Sequence, residues 1–207
     1  MLTRWVTLIS QTLTTTRTLE EITILIALAS SIAASLILLP NAYGVIGGGL
    51  AVLMITIAIV DARHFIIPDE LTAAALALGF LHAGIQDSDM VVEALASAAL
   101  RGAVLAFAFL SLQVLYRHIR GREGIGLGDV KLASVAGVWL DWWMAPVAIE
   151  VAALAALAVY AMRLLYGGGS VRSMTKLPFG LFFAPAIWLG WLLESTLFPI
   201  PSASLLQ

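Results

Sequence analysis

Two aspartates carry the clearest chemical signal in this sequence. Asp61 closes an apolar run in Ile59-Val60-Asp61-Ala62-Arg63-His64, and Asp129 opens another in Gly126-Leu127-Gly128-Asp129-Val130-Lys131-Leu132. Two carboxylates brought to one site can share a proton. One then stays ionised to activate water while the other, protonated, polarises a carbonyl. That is acid protease chemistry, and it calls for no metal and no cofactor. Asp129 also has a purely structural reading, because an acid caps a helix N-terminus well. Asp61 does not, since the dipole at a helix C-terminus disfavours negative charge. The same dipoles predict Asp129 as the usual ionised partner.

Other residues fall around these two. Gly126 and Gly128 permit close backbone approach and unusual dihedrals, as a site admitting an extended peptide needs. They do not form the GxGxxG of a nucleotide loop. Asp69, directly after Pro68, reads first as a helix cap. Asp87, Asp89, Asp141, Glu20 and Glu21 read as solvated or helix-entry charges. Arg101 and Glu150 lie at matching depths inside apolar segments and are expected to pair, because a lone charge there is costly. The chain has no cysteine, which excludes disulfides, thiolate nucleophiles and cysteine-based zinc sites, and its three histidines form no HExxH.

The elements that must position these groups are membrane helices. Of 207 residues, 61% are hydrophobic and only 12% charged, with a mean hydropathy of +0.99, far from the composition of soluble domains. A net charge of -2 without any long basic block excludes a polynucleotide partner. Seven apolar stretches predict an all-α, polytopic transmembrane bundle of about seven spans: 23–39, 44–60, 71–85, 94–116, 130–140, 143–166 and 179–198. The third and fifth are short. Lys and Arg recur only in alternate connections, which predicts a cytoplasmic N-terminus, an outer C-terminus and both aspartates on the cytoplasmic side. Residues 1–22 read as a cytoplasmic or interfacial segment, 23–198 as one membrane-embedded domain and 199–207 as a tail.

At these motifs the chain resembles the type IV prepilin peptidases, bacterial aspartyl proteases that remove the leader from prepilin-like precursors. The resemblance rests on an Asp ending a helix, then Ile67-Pro68-Asp69-Glu70-Leu71-Thr72, then Gly126-Leu127-Gly128-Asp129-Val130-Lys131-Leu132, and Pro178-Phe179-Gly180 before the last helix. It implies Asp61 and Asp129 in the catalytic positions, with Asp69, Gly126, Gly128, Lys131, Pro178 and Gly180 in support. It further implies a prepilin or pseudopilin precursor as substrate, the lipid bilayer as surroundings, and a place in the bacterial inner membrane with the site facing the cytoplasm. Bifunctional members carry paired CxxC motifs linked to N-methylation, so the absence of cysteine points to a peptidase-only member. Two other readings compete. A presenilin or signal-peptide-peptidase relative shares Gly-x-Gly-Asp, but there Tyr-Asp and Pro-Ala-Leu stand where this chain has Val60-Asp61 and Leu177-Pro178-Phe179-Gly180. A small proton-coupled transporter would place its acids at mid-depth rather than at helix boundaries.

Overall fold

The computed structural model describes residues 2–39, 42–86, 89–121, 124–166 and 177–197, and among them every regular element is an α-helix. The predicted tail 199–207, with Asn41, Asp87, Arg122, Arg172 and Lys176, lies outside the described residues. The helices are α1 (Leu2–Leu38), α2 (Ala42–His64), α3 (Asp69–Gln86), α4 (Val91–Arg120), α5 (Leu127–Trp139), α6 (Met144–Tyr166) and α7 (Gly180–Leu197). Each coincides with one of the seven apolar stretches. The first extends further than that stretch, because α1 joins residues from Leu2 onward and the first apolar run in one continuous helix.

Local chemistry sets the ends. α2 stops where Phe65 takes a left-handed backbone (φ 56°) and donates its N–H to the Asp61 carbonyl at 2.9 Å. Pro68 then separates it from α3. α4 stops at Gly121 (φ 61°), whose N–H reaches the Arg117 carbonyl, the usual left-handed glycine termination.

Among the described residues, five helical segments are long and apolar enough to cross a bilayer: Glu20–Leu38 of α1, α2, α4, Met144–Leu165 of α6, and α7. α3 and α5 are the two short segments of the sequence. With 13 residues, α5 rises about 20 Å, less than the roughly 30 Å of hydrocarbon. A short helix is tolerated at membrane depth where protein covers it, and α5 is the most enclosed element. Leu132, Ala133, Val135, Ala136, Gly137, Val138 and Trp139 are all buried, with α3, α4 and α7 packed around them. The core continues through Leu50, Met54 and Ile57 of α2 and Phe183, Ile187 and Trp191 of α7. By contrast α1, α4 and α6 turn Leu25, Ile26, Phe107, Val114, Leu157 and Leu165 outward, the apolar exterior a lipid-facing wall requires.

Side-chain contacts show which helix ends lie together. Glu20 of α1 meets Arg63 of α2, Asp69 of α3 meets Lys131 of α5, and Asp61 of α2 meets Leu181 of α7. At the other end Arg101 of α4 meets Asp141, and Asp141 meets Glu194 of α7. Successive helices therefore alternate in direction, and the aspartates, Arg63 and Lys131 gather at one end. The C-termini of α4 and α6, which carry Arg117, Arg120 and Arg163, point the same way. α4 and α5 approach closely because Gly102 and Gly137 face one another's helices. A Cβ on Gly137 would stand 2.5 Å from the Arg101 carbonyl oxygen, a small-residue crossing of the kind membrane helices use.

That crossing corrects one expectation. Arg101 does not pair with Glu150. It lies 3.5 Å from Asp141 and donates to the Gly137 carbonyl and the Ser97 hydroxyl, each at 3.1 Å. The cause is packing: α4 rests on α5 and α3, whereas α6 packs against α7. Arg101 thus reaches over the end of α5 into the α5–α6 turn, and Glu150 is exposed on α6. Asp141, expected to be merely solvated, also offers its N–H to Glu194 Oε2 at 3.3 Å.

Candidate active site

Asp61 lies in the last turn of α2, yet it is only 6% exposed. Its Oδ2 accepts the Leu181 N–H at 3.1 Å, at the opening turn of α7. The acid that no capping argument on its own helix could explain is therefore held by another helix's positive end. Asp129 stands in the first turn of α5, half-buried, and its Oδ2 accepts the Gly126 N–H at 3.1 Å. Both carboxylates thus face the positive end of a helix. The dipole asymmetry inferred from sequence, which considered only α2 for Asp61, is not what the structure builds.

The two acids lie at the same end of the bundle, and Ile67 ties their supports together. This side chain is buried between Gly128 in the first turn of α5 and Gly180 at the start of α7. A Cβ on Gly128 would lie 3.0 Å from Ile67 Cβ, and one on Gly180 would lie 3.0 Å from Ile67 Cδ1 and 2.8 Å from Asp61 Oδ2. Gly128 and Gly180 are consequently space requirements, because the Ile67 side chain and the Asp61 carboxylate occupy the volume a side chain would need. Gly126 differs, since a Cβ there would meet Asp129 Oδ2 at 3.5 Å, an ordinary contact. None of the three uses a left-handed backbone, so the expectation of unusual dihedrals is not met; Gly121 is the glycine with positive φ among the described residues.

Beside this centre Asp69 opens α3 as an acid in its first turn, and its Oδ1 takes the Lys131 ammonium. Lys131 lies two residues beyond Asp129, so the ion pair fastens the start of α3 to the start of α5. Pro178 is half-buried just before α7, and Phe179 follows it to accept the N–H groups of Phe182 and Phe183 at 3.0 Å each. Of the residues singled out in the sequence, Asp61 abuts Gly180, Gly128 and Gly180 both abut Ile67, and Asp69 pairs separately with Lys131. Asp129 and Gly126 form their own short hydrogen-bonded turn. Ile67 stood in the motif that carries the resemblance but was given no role, and the Leu181 N–H was missed; a packing contact and a backbone amide carry no chemical signal in a sequence.

The opposite end of the bundle is chemically separate. His82 is buried, stacked 5.1 Å from Trp139, and its Nε2 accepts the Trp191 Nε1–H at 3.2 Å. It fills an aromatic layer rather than facing the aspartates. Among the described residues no group of three or more Asp, Glu and His side chains is placed to hold a metal ion.

The fold and site thus define a polytopic helical membrane protein with two buried or half-buried aspartates at one end. Residues 49–162 match the type IV leader peptidase family, and the chain belongs to that family. The match includes Asp61, Asp69, Asp129 and Lys131. A prepilin leader peptidase/N-methyltransferase of Dichelobacter nodosus is 36% identical over 140 residues, covering 67% of this chain and 45% of that protein. The leader peptidase HopD of Escherichia coli is 33% identical over 144 residues, covering 68% of this chain and 88% of HopD. The corresponding peptidase/N-methyltransferase of Pseudomonas aeruginosa is 33% identical over 144 residues, covering 46% of its length. This chain therefore spans about half the length of the relatives named as bifunctional. No solved structure matches it.

Proposed function

We propose that this protein is an aspartyl endopeptidase that removes the basic leader from prepilin-like precursors at the cytoplasmic face of the bacterial inner membrane. The observation that carries the reading is the convergence of Asp61 and Asp129 at one end of the bundle, each held by a backbone N–H at a helix start. One carboxylate, ionised, takes a proton from water as the water oxygen attacks the scissile carbonyl carbon. The other, protonated, gives its proton to the carbonyl oxygen. Collapse of the resulting diol breaks the C–N bond, and the leaving amine takes up a proton. The protons belong to the pair rather than to one named residue.

Topology supports the substrate class. The end that holds the aspartates also gathers Arg63, Arg117, Arg120, Lys131 and Arg163, the side the positive-inside rule assigns to the cytoplasm. A precursor cut just ahead of its apolar helix presents its scissile bond at that interface. Asp69 and Lys131 link the start of α3 to the start of α5, Gly128, Pro178 and Gly180 shape the backbone around the site, and Gly126 offers its N–H to Asp129. The test mixes purified protein with a type IV prepilin and determines the new N-terminus by mass spectrometry. A single cut between the basic leader and the apolar helix is the expected result; intact prepilin after prolonged incubation with folded protein would overturn the reading.

A further inference from the structure

A lateral cleft of about 280 Å³ opens between α1, α2 and α7 next to Asp61. Its walls include Ala27 and Ser31 of α1, Ala58 of α2, and Leu181, Pro185 and Trp188 of α7. On α1 the lining runs from Thr23 to Ser31, a length of about 12 Å or two helical turns. A cleft of this size takes the side-chain ridge of a neighbouring helix rather than a whole helix.

Three features point to a polypeptide as its occupant. The cleft is continuous with the aspartate site, because Leu181 both lines it and donates its N–H to Asp61, and Ala58 and Ile59 lie within a turn of Asp61. Pro185 stands four residues beyond Leu181 inside α7 and has no N–H, so the Leu181 carbonyl lacks its helical donor. A carbonyl without that i+4 N–H is an acceptor that a lipid tail cannot serve and a peptide N–H can. The cytoplasmic mouth is acidic: Glu20 and Glu21 are exposed on the turn of α1 before Thr23. Glu20 meets Arg63 at 3.9 Å with both side chains more than half exposed, a contact worth little and open to exchange for an incoming cation.

Building on the peptidase reading, we propose that this cleft seats the first two turns of the apolar helix that follows the scissile bond, while the basic leader reaches Glu20 and Glu21. α1 is then a substrate-binding wall as well as a membrane anchor. Among its described side chains only Ser31 and Ser35 are buried, which suits a helix that must share its inner face with a partner.

Because the chain has no cysteine, single cysteines introduced by Ala27→Cys and Leu189→Cys, with Phe107→Cys on the outward face of α4 as reference, can be oxidised against a prepilin with one cysteine in the second turn of its apolar helix. Leader removal is followed in parallel for each variant. The two cleft positions are expected to cross-link well above the Phe107 position, and excess cysteine-free prepilin should suppress the product. Ala27→Trp, which narrows the cleft, should raise KM about tenfold with kcat retained, the signature of lost substrate binding. Normal leader removal with no more cross-linking at the cleft than at Phe107, or an unchanged KM for folded Ala27→Trp, overturns the docking proposal and leaves the peptidase reading standing. A photoreactive lipid that labels the cleft and is not displaced by prepilin also overturns it. Absence of leader removal by the unmodified protein refutes the peptidase reading and the docking proposal together.

Discussion

Replacing Gly180 by alanine perturbs the site at its tightest point. The new Cβ would stand 2.8 Å from Asp61 Oδ2, 3.0 Å from Asp61 Cγ and 3.0 Å from Ile67 Cδ1. Asp61 and Ile67 are both buried, so neither can swing into solvent, and the carboxylate must move away from the Leu181 N–H. Overpacking costs about 1–3 kcal/mol, and a hydrogen bond to a charged group contributes about 1.5–3 kcal/mol. These terms overlap, and a loss of about 2–4 kcal/mol in stability is expected. Displacing a reacting group by about 1 Å costs on the order of 100-fold in rate, so cleavage should fall by about that factor in protein that remains folded. Gly126→Ala is the internal control. Its φ of -76° and ψ of 151° suit any residue, and its Cβ would make only a 3.5 Å contact. It should stay within about threefold of wild type, with less than about 1 kcal/mol lost at the helix cap. The assay is initial-rate leader removal from a prepilin, with thermal unfolding in detergent measured on the same preparations. A Gly180→Ala protein that cleaves as well as Gly126→Ala would refute the steric argument.

Three further outcomes follow from the same packing. Asp69→Asn and Lys131→Met should each cost little stability, and their coupling in a double-mutant cycle should be about 0–1 kcal/mol and shrink with salt, because the side chains are 73% and 45% exposed. Arg101→Ala should lower stability by about 1–3 kcal/mol through its contacts with Asp141, Gly137 and Ser97, whereas Glu150→Gln should change it by less than about 0.5 kcal/mol; equal effects would restore the pair expected from sequence. Gly137→Ala forces a Cβ to within 2.5–2.7 Å of the Arg101–Gly102 backbone and should destabilise by about 1–3 kcal/mol, seen as a lowered unfolding temperature with KM unchanged.

Much of this was legible from residue order because the membrane imposes a one-dimensional code. Apolar runs located all seven helices of the described residues, and the alternation of Arg63, Arg117 and Arg163 with basic-free connections anticipated the shared end that the contacts show. The short fifth segment, a puzzle by length alone, is explained by its enclosure among α3, α4 and α7. What the sequence could not show were relations between elements. Asp61 was singled out as unexplained on its own helix, but its partner, the Leu181 N–H, lies 120 residues away, and no local pattern joins them. Matching depth suggested Arg101 with Glu150, yet depth cannot tell which helices are neighbours, and the Gly102–Gly137 crossing sends Arg101 to Asp141 instead. Glycines at 126, 128 and 180 looked alike as letters. Only the positions of Ile67 and the Asp61 carboxylate separate the two that need the space from the one that does not.

The central claim, that Asp61 and Asp129 act as one unit, is tested most directly by single-turnover leader removal with Asp61→Asn, Asp129→Asn and the double variant, all confirmed folded by thermal unfolding. If the two carboxylates share one proton economy, each single variant falls to the same floor as the double, a loss of at least about 10²–10⁴. Cleavage retained in either single variant, or losses that multiply in the double, would contradict the account.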